Sequence, residues 1–142
     1  MIDKRRLSRL LTACDMAFLQ RMTDDLELSA IQTERAPKTS IVMTKVRDSV
    51  SNQPFYLGEV LVTECTVSMA GKFGIGVVIG EQPERAYRMA AIDAAVNAGS
   101  SILDKWQAEL TAEERRIAAT RHLECVRSAE SKVNFDTMGE YE

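Results

Sequence analysis

The stretch FYLGEVLVTECTVSMAGKFGIGVVI, Phe55–Ile79, decides the fold. Phe55–Met69 is rich in β-branched side chains, which fit a pleated, half-buried surface, so it reads as one long strand. Its apolar phase moves from Val60 and Val62 to Cys65, Val67 and Met69, which predicts a bulge near Thr63–Glu64. Ala70-Gly71-Lys72 turns the chain, and Phe73–Ile79 returns with Ile75, Val77 and Ile79 on one face, a β-hairpin. Working outward, Ser51-Asn52-Gln53-Pro54 has loop chemistry. Before it, Ser40–Asp48 alternates Val42, Thr44 and Val46 with Ile41, Met43 and Lys45, and Pro37 separates it from a shorter strand, Ala30–Arg35. An antiparallel meander of three to four strands follows.

Helices flank this sheet. Asp3 caps a first helix with Leu7, Leu10, Leu11 and Cys14 on one side, and a second short helix runs from about Met16 to Asp25. After the hairpin, Gly80 ends the strand and Pro83 occupies a first-turn position. Glu84–Ala98 is a helix of mostly Ala, Met, Ile and Val, closed by Gly99. Ser100–Leu110 is a further helix carrying Trp106. Thr111-Ala112-Glu113-Glu114 matches a capping box that opens a last helix reaching Ser131. The stripe of that last helix is thin, with Ala118, His122, Cys125 and Ala129 near Ala119, Leu123 and Val126, so it anchors poorly in a core of its own. The predicted class is α+β: N-terminal helices, the meander sheet, then C-terminal helices packing on it. Residues 1–131 form one domain, and 132–142 an extended tail that docks on a partner or stays loose.

Composition narrows the functions. The chain has 142 residues with 18 Lys and Arg against 21 Asp and Glu, a formal charge of -3. A nucleic-acid protein needs a basic stripe that this balance does not supply. One histidine, His122, excludes a histidine-rich metal site within the chain. Cys14, Cys65 and Cys125 have no CxxC spacing and are odd in number, so reduced thiols and a cytoplasmic location are expected. Asp15 interrupts the apolar run behind Lys4, Arg5, Arg6 and Arg9, which argues against a signal peptide, and no apolar run is long enough to span a membrane.

The candidate chemistry is sparse. Gly74, Gly76 and Gly80 have GxGxxxG spacing but lie within a strand, and Gly71-Lys72 lacks the following Ser or Thr of a phosphate loop; bulging or close strand packing accounts for these glycines. His122 and Cys125 sit one helical turn apart, where a half-buried structural histidine beside a core thiol is favoured over a metal pair. Glu59 and Glu64 interrupt an apolar strand and are expected at an edge or interface. Asp93 in its alanine-rich helix needs a partner, either Arg88 or a second chain.

Three blocks carry a resemblance. Phe55–Glu64, Pro83–Ala94 with its Ala91-Ile92-Asp93-Ala94, and Lys132–Met138 with its Val133-Asn134-Phe135-Asp136-Thr137-Met138 are similar, in order and spacing, to the PhnG family. These proteins are small subunits of the bacterial carbon–phosphorus lyase system. The last block is the most specific; where family members often continue with Arg-Gly, Gly139-Glu140 follows here.

The resemblance implies a subunit that assembles with PhnH, PhnI and PhnJ. With PhnI, PhnH and the ATPase-like PhnL it would help transfer a phosphonate onto the ribose C1 of ATP, displacing adenine and giving a ribose 1-phosphonate 5-triphosphate. ATP is then a substrate of the complex. An iron–sulfur cluster and S-adenosylmethionine (SAM) belong to PhnJ, and this chain carries no cofactor, metal or catalytic residue. The expected partner interface comprises Thr63, Glu64, Phe135 and Met138, in a hetero-oligomer without nucleic acid or membrane. A stand-alone homo-oligomeric binding module and a small nucleotide-binding enzyme are the competing readings.

Overall fold

A computed structural model describes residues 3–26 and 30–133. The Asp3 carboxylate accepts from the Arg5 amide and starts α1 (Lys4–Ala13), while Asp15 accepts from the Phe18 amide and starts α2 (Met16–Asp24). Three strands follow, β1 (Ile31–Arg47), β2 (Pro54–Met69) and β3 (Lys72–Ile79), in one antiparallel sheet of order β1-β2-β3. The chain then enters α3 (Pro83–Ala98) and α4 (Leu103–Glu130). The expected α+β meander is present with three strands.

The β2–β3 connection is a two-residue turn with positive φ at both Ala70 (49°) and Gly71 (73°), the geometry whose twist suits a tight hairpin. Its register places Gly74 opposite Val67, Gly76 opposite Cys65 and Val78 opposite Thr63, all buried against α3. The two glycines allow that contact. A Cβ on Gly76 would stand 1.9 Å from the Ala86 carbonyl oxygen, and one on Gly74 2.2 Å from that of Ala90. Ala86, Ala90 and Ala94 thus lie directly on the β3 backbone, which is the close strand packing expected of these glycines. The helix is sandwiched: Met89, Ala91, Ile92 and Ala95 are buried as well, because α2 packs on α3 and the core extends to Leu7, Leu19, Met22 and Trp106. Arg85 ties the layers together, donating to the carbonyls of Leu11 (3.1 Å) and Cys14 (3.0 Å) at the end of α1.

Several expectations need correction. Two register irregularities add residues to β1, between Thr33 and Arg35 and between Arg35 and Lys38; the second faces Glu64–Thr66, so the irregularity expected near Thr63–Glu64 is carried by the partner strand, while a third, at Thr44/Lys45, leaves Leu57 of β2 as the extra residue. Pro37 does not end a strand; β1 is an edge strand and absorbs the proline within its irregular stretch. The capping box at Thr111 opens no new helix. With no glycine or proline to break it, α4 runs 28 residues through that point, the Thr111 hydroxyl bonds back to the Gln107 carbonyl, and Glu114 engages Arg6 instead. Asp93 is satisfied within the chain, by the Ile75 amide at 3.1 Å, Asn97 and Lys4, while Arg88 pairs with Glu84 and Thr23.

Candidate functional site

Alternation along β3 puts Gly74, Gly76 and Val78 on the α3 side and leaves Phe73, Ile75, Val77 and Ile79 on the other face. Among the described residues no helix covers them, and they form an apolar row with Phe73 61% and Ile79 68% exposed. Glu64 is cross-strand from Val77 and Lys38, on this same open face. It is exposed because the face is bare; β2 is the central strand, so the expected edge position is corrected. Thr63 points the other way and is 1% exposed, its hydroxyl donating to the Gly80 carbonyl at 2.6 Å and accepting from the Gln82 amide. Phe135 and Met138 lie outside the described residues.

A second open surface follows from strand length. β3 stops at Ile79 opposite Val62, yet β1 and β2 continue paired from Ile41–Leu61 to Arg47–Pro54. This two-stranded ribbon is about 20 Å long and exposes Ile41, Met43, Phe55, Tyr56, Leu57 and Leu61. Isolated two-stranded ribbons are marginally stable in water.

The third surface is the far half of α4. Trp106, Leu110 and Ile117 anchor its near half, whereas every residue from Ala118 to Val133 is exposed. Ile117 and Val126 are nine residues apart, two and a half turns at 100° per residue, so the distal apolar side chains point about opposite to the docked ones. Leu123 is 59% exposed on that side. His122 and Cys125 are likewise exposed, which corrects the half-buried placement; among the described residues no three metal-ligating side chains cluster.

Exposed area quantifies this. The chain presents 10383 Å² to solvent, about 3,000 Å² more than a compact monomer of its 15.8 kDa. Even a maximal allowance of about 2,200 Å² for the fourteen residues outside the description leaves an excess of about 1,400 Å² over a compact body of the remaining size.

A cavity of about 570 Å³ between α2 and α4 brings together no catalytic constellation among the described residues. Several of its charges are paired. Lys105 and Trp106 both donate to Asp25, which holds that carboxyl below its ordinary value, and Arg116 is held by Glu113 and Asp15 and pushed above its own. Arg21 lies 5.7 Å over the Phe18 ring. Burial pushes the Cys14 thiol up to about 11 and raises Cys65, so neither is a ready nucleophile. No helix among the described residues is long and apolar enough to cross a membrane.

Comparison with known proteins gives the family. The family model "Phosphonate metabolism protein PhnG" matches residues 3–139. A relative from Rhizobium meliloti (strain 1021), alpha-D-ribose 1-methylphosphonate 5-triphosphate synthase subunit PhnG, is 28% identical over 96% of this chain and 88% of its own length. The match spans both the sandwiched α3 and the exposed surfaces, and on it the chain belongs to the PhnG family of phosphonate metabolism proteins.

Proposed function

We propose that the chain is an accessory, non-catalytic subunit of a cytoplasmic carbon–phosphorus lyase core complex. It supports transfer of a phosphonate to the ribose C1 of ATP by PhnI-, PhnH- and PhnL-like partners. In that reaction a phosphonate oxygen bonds to C1 as the C1–N9 bond breaks; adenine leaves with the electron pair and takes up a proton, giving a ribose 1-phosphonate 5-triphosphate. The observation that carries the reading is the set of three apolar surfaces that the described residues leave uncovered, around a body whose buried charge, Glu113, is already paired. An excess of about 1,400 Å² on one chain matches its share of an obligate interface. A PhnJ-like partner would hold the iron–sulfur cluster and SAM of the later C–P cleavage. Phe135, Met138 and the outward face of the Thr63–Glu64 stretch belong to the contact with partners.

The test is co-expression with a PhnI homologue plus PhnH and PhnL, followed by size-exclusion chromatography and product analysis. Co-elution, with product moving from hydrolysis of the glycosidic bond to the ribose 1-phosphonate triphosphate, is expected. Joint Phe135→Ala and Met138→Ala substitution weakens assembly and leaves the fold of the chain intact. Absence of co-elution with the full set returns the chain to a homo-oligomeric binding module.

A further inference from the structure

Besides the apolar faces, α1 and the middle of α4 enclose a groove of about 210 Å³ with a distinct chemistry. Its floor is apolar: Leu10 and Ala13 from α1, Ile117 and Ala118 from α4. At one end the Arg6 Nε donates to both Glu114 oxygens at 2.9 and 3.0 Å, which fixes the spacing of the helices and, among the described residues, consumes the only carboxylate lining the groove. The pairing holds the Glu114 carboxyl below its ordinary value, so it stays charged and satisfied. Arg9 and Arg121 remain. Among the described residues neither meets a carboxylate within 4.0 Å, so the groove carries two uncompensated positive charges over an apolar floor, on a chain whose total charge is -3.

The groove's size and charge together select the occupant. Small-molecule sites enclose roughly 300 Å³ or more, and this groove is smaller and open. A phosphate chain would pair with the arginines but leave the floor bare. A polypeptide segment with apolar side chains for the floor and carboxylates for the rims satisfies both, in the helix-in-groove manner. We infer that the α1–α4 groove receives an acidic amphipathic segment of a partner subunit, with Arg9 and Arg121 reading its carboxylates. This rests on the accessory-subunit reading and adds the face and the chemistry of one contact. The groove lies just before the point where α4 leaves the body, so a segment seated here continues onto the bare distal half of that helix.

The experiment uses the co-expressed complex. Arg9→Glu and Arg121→Glu are exposed surface changes and leave the melting temperature of the chain close to wild type. The double reversal is expected to weaken assembly by about tenfold or more, since two attractive rim contacts become repulsive. The wild-type complex is expected to loosen as NaCl rises, and Arg9→Lys with Arg121→Lys to retain most of the affinity. Ala118→Glu, which puts a carboxylate on the floor, is expected to weaken assembly as well. A wild-type complex that forms, together with a double-reversal complex of equal affinity and salt response, overturns this inference alone. Binding of inorganic tripolyphosphate to the free chain that vanishes in the double reversal while assembly is unchanged also overturns it, in favour of a plain anion site. Failure of the wild-type chain to assemble overturns the subunit reading and this inference together.

Discussion

Replacing Gly76 with alanine adds one methyl group where the structure has no room for it. The new Cβ would stand 1.9 Å from the Ala86 carbonyl oxygen and 2.8 Å from the Ala90 amide nitrogen, both backbone atoms of α3. Ordinary contact begins near 3.4 Å. The helix must therefore lift by more than an ångström from β3, and it cannot do so without loosening Ala90 and Ala94, which rest on the same strand. Overpacking of this kind costs about 1–3 kcal/mol. Opposing it, alanine reduces the freedom of the unfolded chain by about 0.4–1 kcal/mol, so a net loss of about 1–2 kcal/mol is expected. Gly58, in the ribbon, is the control: nothing lies within 4 Å of its added Cβ and its φ is not positive, so Gly58→Ala keeps only the favourable part. Urea unfolding of the two variants beside wild type should give a lower midpoint for Gly76→Ala and an equal or higher one for Gly58→Ala. A Gly76→Ala chain as stable as wild type would refute the direct seating of α3 on β3.

Other outcomes are as specific. Arg85→Met strips two carbonyls at the end of α1 of a charged donor and should cost about 1.5–3 kcal/mol in the same assay. Ala70 holds φ at 49°, where asparagine is better tolerated, so Ala70→Asn should raise the melting temperature slightly. The Cys14 thiol titrates near 11 in the folded chain against an ordinary 9.0, so the unfolded chain loses this proton first. Stability should then fall with rising pH between about 9 and 11, by at most about 1.4 kcal/mol per unit, and Cys14→Ala should flatten that slope. In native labelling at neutral pH, exposed Cys125 should react well ahead of buried Cys14 and Cys65. Amide exchange in α4 beyond Ala118 should be fast in the free chain and slow in the assembled complex.

The parts of the fold that are legible in the sequence are those set locally. Asp3, Pro83 and Gly99 mark helix ends by their own hydrogen bonding or conformation, and the Phe55–Ile79 hairpin is written in β-branching and the Ala70-Gly71 turn. Long-range competition set the rest. Glu114 is a plausible capping residue until Arg6, more than a hundred positions away, is folded beside it. Asp93 reads as a buried charge in want of a cation, but the β3 backbone reaches it first. The thin stripe of the last helix is readable as weak anchoring, and its far half is indeed exposed. Its rotation away from the body is not readable, because that direction depends on which residues of the near half face the core.

One consequence concerns the interval before partners arrive. A bare sheet with free edges is a template on which copies of a chain stack strand upon strand. Here Asp93 accepts from the outward Ile75 amide, and Asn97 donates to the outward Phe73 carbonyl at 2.6 Å, so helix side chains occupy two rungs of the β3 edge. At the opposite border Pro37 lacks an amide to offer. Newly made chains can therefore wait with an apolar face open and still resist growing into fibres. What they accept is contact on the face, where side chains discriminate, in preference to contact along the edge, where any backbone would do.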